Sequence, residues 1–366
     1  MRNNFDPNQV SLFDPGQNRG IPRERERVNR LCHIYNNITS FDNLLLSWQE
    51  FLCGKRKRKD VAEFSVNLTD NLVALYGELA DKTYQHDGYT AFKINDPKPR
   101  NIHKASVRDR LVHHAIYRIL YPYFDRKFIY DSYSCRIEKG THRAINRFSD
   151  FGRIVSQNNT RTVWVLKCDI RKFFANIDHL ILKEILARHI SDQDVLWLLG
   201  QIIDSFNSSR KGVGLPLGNL TSQLLINIYM NSFDHFVKRE LKVKYYIRYA
   251  DDFVILSGNK QILEKLLLKI EKYLHKKLKL QLHPDKVYIK TLASGVDFLG
   301  WVHFSDHRVL RKSTKRRMFK KMVNNQKNET YQSYLGILQH GNSYKVRRIL
   351  DETCKKYNTS KNKFVI

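Results

Sequence analysis

Acidic residues are scarce in this 366-residue sequence: 36 Asp and Glu stand against 64 Lys and Arg, a formal net charge of +28. Self-repulsion on that scale costs stability unless a polyanion offsets it, so nucleic acid is the expected partner and a membrane surface the weaker alternative. Cysteine is sparse too. Cys32, Cys53, Cys135, Cys168 and Cys354 lie far apart and form neither CxxC nor CxxH, which argues against a disulfide framework and a zinc site. No apolar run approaches the ~20 residues of a spanning helix, and the first ten residues, MRNNFDPNQV, lack the apolar core of a secretory signal. A soluble, intracellular protein is expected. Internal repeats and long low-complexity segments are also missing. What is present is a core: apolar residues make up 42% of the chain and aromatics 12%, enough to exclude a disordered polycation and to fill two or three subdomains.

Residues 1–35 carry little periodic apolar pattern and read as a mobile arm. Phe41, Leu44, Leu45, Trp48, Phe51 and Leu52, then Leu68, Leu72, Leu75 and Leu79, recur at helical spacing. Between them, Lys55 to Lys59 is either a solvated helix end or a phosphate-contacting patch. Residues 89–103 alternate around Asp96-Pro97-Lys98-Pro99-Arg100 and predict a bent strand pair, followed by a helix over 110–121. A buried strand is expected over 162–168, helices over 180–187 and 195–203, and a hairpin over 244–256 with Ala250-Asp251-Asp252 at its tip. Residues 261–278 predict a basic amphipathic helix, and 287–290 and 298–304 closing strands. Residues 301–366 hold 16 Lys and Arg against 4 Asp and Glu, a basic helical tail.

Asp169, Asp251 and Asp252 each sit where an apolar strand stops. Brought together in one sheet, three carboxylates repel one another and call for divalent cations. Two such ions ~3.5–4 Å apart suit nucleotidyl transfer. On the carboxylates alone, acidic residues that solvate a turn and cap a helix fit as well.

The surrounding motifs separate the two. Tyr249-Ala250-Asp251-Asp252 downstream of Asp169-Ile170-Arg171-Lys172-Phe173-Phe174 resembles the YxDD and D-I-x-x-F-F motifs of reverse transcriptases. In matching order stand Lys98-Pro99-Arg100, Asp109-Arg110-Leu111-Val112, Tyr133-Ser134-Cys135-Arg136, the segment Leu215 to Gln223, Leu282-His283-Pro284-Asp285-Lys286 and Phe298-Leu299-Gly300-Trp301. The resemblance runs from Lys98 to Trp301. It implies an α+β right hand: an arm over 1–35, N-terminal helices and fingers over 36–160, a palm with an antiparallel sheet over 161–304, and a small basic helical thumb over 305–366. It also implies RNA-directed DNA synthesis with dNTPs, a template RNA, a cDNA or primer strand, and two Mg²⁺ ions, for which Mn²⁺ is a substitute.

Roles follow residue by residue from the resemblance. Asp169 and Asp251 correspond to the metal ligands with the Ile170 carbonyl assisting, Asp252 to a supporting carboxylate, and Lys286 to a proton donor for the leaving pyrophosphate. Phe174 occupies the place of a ring that excludes the ribose 2′-hydroxyl. Lys98, Arg100 and Arg110 are candidates for the triphosphate, Leu217, Gly218 and Gln223 for the nucleotide pocket, and Leu299 and Gly300 for the primer grip. Arg311, Lys312, Lys315, Arg316 and Arg317 are candidates for the nucleic-acid backbone. Most of the family has Gln at 217 and Pro at 223. Leu217 and Gln223 instead resemble the enzymes of diversity-generating retroelements, which implies adenine-mutagenised cDNA, a small basic oligomeric accessory protein and a bacterial or phage-encoded, cytoplasmic enzyme. Neutral packing drift at Leu217 is the alternative.

Overall fold

The structure, a computed structural model, describes residues 30–95, 99–324 and 328–362. The expected arm over 1–35 therefore lies largely outside the described residues, but its end does not. Leu31 donates its N–H to the His189 carbonyl (2.8 Å) and Ser191 donates back to Leu31 (2.9 Å), so residues 31–35 belong to the folded body.

Helices α1 (Tyr35–Thr39), α2 (Phe41–Phe51), α3 (Lys59–Val66) and α4 (Leu68–Ala80) open the chain, followed by the hairpin β1 (Thr90–Ile94) and β2 (Arg100–Lys104). The long helix α5 (Val107–Asp125) and α6 (Thr141–Val155) complete this half. Ser40 caps α2 by accepting the Asn43 N–H (3.2 Å), and Leu44, Trp48 and Phe51 then fall on one buried stripe. Ser106 caps α5 in the same way through Asp109. The basic run over 55–59 ends at the start of α3, with Lys55 bonded to the Phe51 carbonyl (2.9 Å).

The next stretch contains β3 (Trp164–Asp169), α7 (His179–His189), α8 (Gln193–Asp204), α9 (Leu220–His235), β4 (Tyr246–Tyr249), β5 (Asp252–Ser257), α10 (Lys260–Leu278) and β6 (Tyr288–Thr291). Its antiparallel sheet has the order β4-β5-β3-β6. Both faces are covered. Leu166, Cys168, Phe253 and Ile255 point into one core with α9 and α10, while Val165, Ile247, Val254 and Leu256 point into another with Phe148 and Phe151 of α6. Near-continuous apolar strands are what such double burial requires.

Residues 298–304 are not one strand. β7 (Val296–Phe298) stops, Leu299 and Gly300 turn with φ of 51° and 87°, and β8 (Trp301–His303) returns to pair with β9 (Arg308–Leu310). Positive φ at both central residues is the type I′ signature, whose twist suits a tight hairpin. The basic tail accordingly becomes helical only at α11 (Lys312–Asn324), followed by α12 (Asn328–Leu338) and α13 (Tyr344–Asn362). Trp301 leaves the turn to join the core of this tail, beside Met318, Met322, Leu338 and Leu350.

Candidate active site

Backbone register alone brings the aspartates together. Asp169, the last residue of β3, pairs directly with Asp252, the first of β5, and Tyr249 pairs with Asp252 across the two-residue turn Ala250-Asp251. The Ile170 N–H donates to the Asp251 carbonyl (3.0 Å), locking the turn to the end of β3. Burial and then repulsion from Asp169 raise the Asp251 carboxyl above the usual range. Burial pushes Asp252 up to about 6, against the pull of Lys167.

Two lysines meet this cluster. Lys286 donates to Asp169 Oδ1 (2.8 Å) and Lys167 to Asp252 Oδ1 (2.5 Å). Among the described residues no three His, Cys, Asp or Glu side chains already converge as a metal cage. The donor set itself, hard carboxylate oxygens gathered at the end of β3 and on the β4–β5 turn, fits a divalent cation such as Mg²⁺.

The turn rests on a buried ion pair that the sequence pattern does not announce. Arg248, wholly buried, grips both oxygens of Asp234 (2.7 Å each), while Nη2 also reaches Ser132 Oγ (3.1 Å) and Nη1 reaches the Ala250 carbonyl (3.1 Å). Tyr246 donates to the same Asp234 (2.7 Å). Ala250 adopts a φ of 56°, a region a non-glycine residue enters only when its surroundings hold it there. Arg248 is part of that restraint. A charge two residues before the turn reads as the polar half of an alternating strand, and Asp234 stands 14 residues away on a helix end.

The loop ahead of α9 is stitched to the β1–β2 hairpin. His103 donates its N–H to the Leu217 carbonyl (2.9 Å), and the Asn219 amide donates to the His103 carbonyl (3.2 Å). Gly218 has a φ of 111°, and a Cβ there would fall 2.8 Å from Ile102 Cγ2. Gly218→Ala is thus expected to cost about 1–3 kcal/mol in thermal unfolding. Leu217 and Gln223 are half-buried. Phe174, in the 3₁₀ turn Phe173–Asn176, is half-buried against Phe173 and accepts the Leu215 N–H on its carbonyl (2.8 Å).

Not every basic candidate stands open to solvent. Arg110 is held by Asp60 of α3 and by the Ser106 carbonyl, with its guanidinium over the Phe51 ring, so here it braces the helices rather than facing a triphosphate. Lys104 shares Asp60 (2.8 Å). Arg100 is exposed on β2, and Lys98 lies outside the described residues. Arg311 is paired with Asp297, and its N–H donates to the Gly300 carbonyl (3.0 Å), so it fastens the Leu299–Gly300 turn to α11. Lys312 and Arg316 are exposed, Lys315 and Arg317 partly so; Lys312, Arg316 and Lys320 form one stripe opposite the buried Met318 and Met322. His113 is buried 3.2 Å from His86, in the core and not at the site. Cys32, Cys53, Cys135 and Cys168 are free. No helix among the described residues is long and apolar enough to cross a membrane.

The chain is 29% identical over 249 residues to Protein YkfC of Escherichia coli (strain K12), covering 57% of this chain and 63% of that protein. It is 24% identical over 293 residues to the group II intron-encoded protein LtrA of Lactococcus lactis subsp. cremoris, covering 62% and 47%. The chain thus spans less than two thirds of the length of either relative. Among solved structures, apo telomerase from Candida tropicalis matches with a TM-score of 0.47 at 14% identity, over 66% of this chain and 60% of that one. The sequence profile described as reverse transcriptase (RNA-dependent DNA polymerase) matches residues 93–303, which hold the paired aspartates, the turn beneath them and the Leu299–Gly300 hairpin. With more than half of its length inside that match, the chain belongs to the reverse transcriptase family.

Proposed function

We infer that this chain is an RNA-directed DNA polymerase whose chemistry is carried by Asp169 and Asp251, with Asp252 in support. The observation that carries this reading is the direct register pairing of Asp169 with Asp252, which leaves Asp251 on the turn between β4 and β5. Asp169, Asp251 and the Ile170 carbonyl would hold Mg²⁺, or Mn²⁺ in its place. The bound cation supplies Lewis-acid activation of a primer 3′-hydroxyl and charge neutralisation at the phosphoryl group. Lys286, 40% exposed, would be able to release Asp169 to a cation and would serve as the proton donor to the departing pyrophosphate. Phe174 would take the part of the ring that rejects a 2′-hydroxyl. The exposed stripe on α11 suits the phosphates of a template–primer duplex, giving affinity that falls steeply with salt.

The biological role we favour is that of a diversity-generating retroelement, working with a structured template RNA and a small basic accessory protein. Leu217 and Gln223 support it. Both are half-buried beside the loop that meets β2, where an aliphatic side chain removes a hydrogen-bonding restraint on the incoming nucleotide. The similarity to LtrA favours a second reading, a group II intron-like enzyme. Mg²⁺-dependent dNTP incorporation on a primed RNA, followed by cDNA sequencing, tests both. Incorporation by the wild type and none by the Asp251→Ala/Asp252→Ala variant supports the polymerase. Errors concentrated opposite template adenines support the retroelement role, and accurate cDNA the intron-like one. No incorporation, with cognate RNA and accessory protein supplied, leaves an RNA-binding protein.

A further inference from the structure

The two lysines at the aspartate cluster differ in one respect. The Lys286 side chain is 40% exposed and can swing into solvent, whereas that of Lys167 is 8% exposed and cannot. Lys167 lies on β3 two residues before Asp169, so strand alternation puts both side chains on the same face. Its backbone is fixed between β5, where it pairs with Val254, and β6, where it pairs with Tyr288. From there the ammonium reaches Asp252 Oδ1 at 2.5 Å. Withdrawing it would leave a half-buried carboxylate uncompensated, which is more costly than keeping the pair.

We propose that Lys167 is a positioning residue that commits Asp252 to an internal ion pair, so that a divalent cation is held by Asp169 and Asp251 while Asp252 stays out of its coordination shell. This rests on the reading of the aspartates as metal ligands. It assigns the two adjacent acids of the turn different tasks: Asp251 has no lysine of its own and serves the cation, whereas Asp252 anchors the start of β5. Lys167 then acts as a built-in counter-charge that keeps the site from binding cations too tightly to turn over.

The test is Mn²⁺ binding to the full chain without nucleotide, followed by the loss of free-ion signal in electron paramagnetic resonance, alongside dNTP incorporation. Asp251→Asn should abolish Mn²⁺ binding; if it binds like the wild type, the metal reading itself fails, whatever Lys167 does. Lys167→Met frees Asp252 and removes a positive charge, so Mn²⁺ should bind about tenfold more tightly while incorporation slows about tenfold. A residue that merely supports the fold would weaken both together. Lys167→Arg should restore wild-type Mn²⁺ affinity. Asp252→Asn leaves the Lys167 charge unpaired and should weaken Mn²⁺ binding, and Lys167→Met/Asp252→Asn, with neither charge, should return to near wild-type affinity without the tenfold gain, because that gain comes through the freed Asp252. Unchanged or weakened Mn²⁺ binding in Lys167→Met, or a double variant that keeps the tenfold gain, would overturn the proposal.

Discussion

Asp251→Asn should lower DNA synthesis on an RNA template by roughly 10³-fold or more, and at the same time make the metal-free protein melt at a higher temperature. The first effect follows from losing a ligand to a cation that contributes several kcal/mol in the transition state, each 1.36 kcal/mol being a factor of ten. The second follows from the raised pKa. Burial and then Asp169 favour the protonated form of Asp251 in the folded state. A carboxyl with a raised folded pKa lends stability below its unfolded pKa and loses it as pH rises through the folded one. At neutral pH the wild type therefore carries a penalty that asparagine lacks, and in acid the two are alike. Scanning calorimetry in chelator should show the variant melting higher at pH 7, with the gap closing toward pH 4. A variant that melts lower at pH 7 would mean that Asp251 makes stabilising contacts of its own.

The largest stability loss is expected at Asp234. Removing one member of a buried ion pair strands the other without water, at about 3–5 kcal/mol. Asp234→Ala should thus lower the melting temperature by about 5 °C, because Arg248 is wholly buried and Tyr246 loses its acceptor as well. Replacing both partners, Asp234→Leu with Arg248→Met, should recover most of that stability, since an apolar pair of similar volume leaves no charge behind. Activity should not recover with it. The Ala250 carbonyl loses its Nη1 donor in the double variant, and the residue before Asp251 is no longer held at its positive φ. Full activity in the double variant would show that the turn needs no brace.

The catalytic strands were legible because two independent signals coincide in them. Val163 to Cys168 and Tyr245 to Leu256 are β-branched and aromatic runs, and each breaks at an aspartate in a recognisable motif. Helix α9 left no such trace. Leu224 to Met230 is buried without interruption, so there is no polar face against which a stripe could show. The break at Leu299–Gly300 was hidden for the opposite reason: an aliphatic residue at positive φ carries none of the usual turn signals, and the strand seemed to continue. Arg110 matched a motif, but Asp60, the partner that decides where its guanidinium points, comes from 50 residues upstream. Lys167 and Arg248 were obscured by alternation itself, which gives charged residues in a strand to solvent by default. A sheet covered on both faces has no solvent side, so a charge within it must be paired.

Trp301 has a mechanical consequence. It directly follows the Leu299–Gly300 turn, and its ring is enclosed by Met318, Met322, Leu338 and Leu350, with the Arg308 guanidinium above it. Arg308 in turn holds the His340 carbonyl and Asn146 of α6 (2.6 Å). The hairpin and the basic helices therefore share one core and are fastened together against α6. On the proposed reading, a duplex seated against the α11 stripe would tilt the same body that holds the hairpin to the 3′ end of a primer, so the width of the helix already made and the height of its growing end would become a single coordinate. Such a calliper would sense a distorted duplex as a displaced primer terminus, without reading any base.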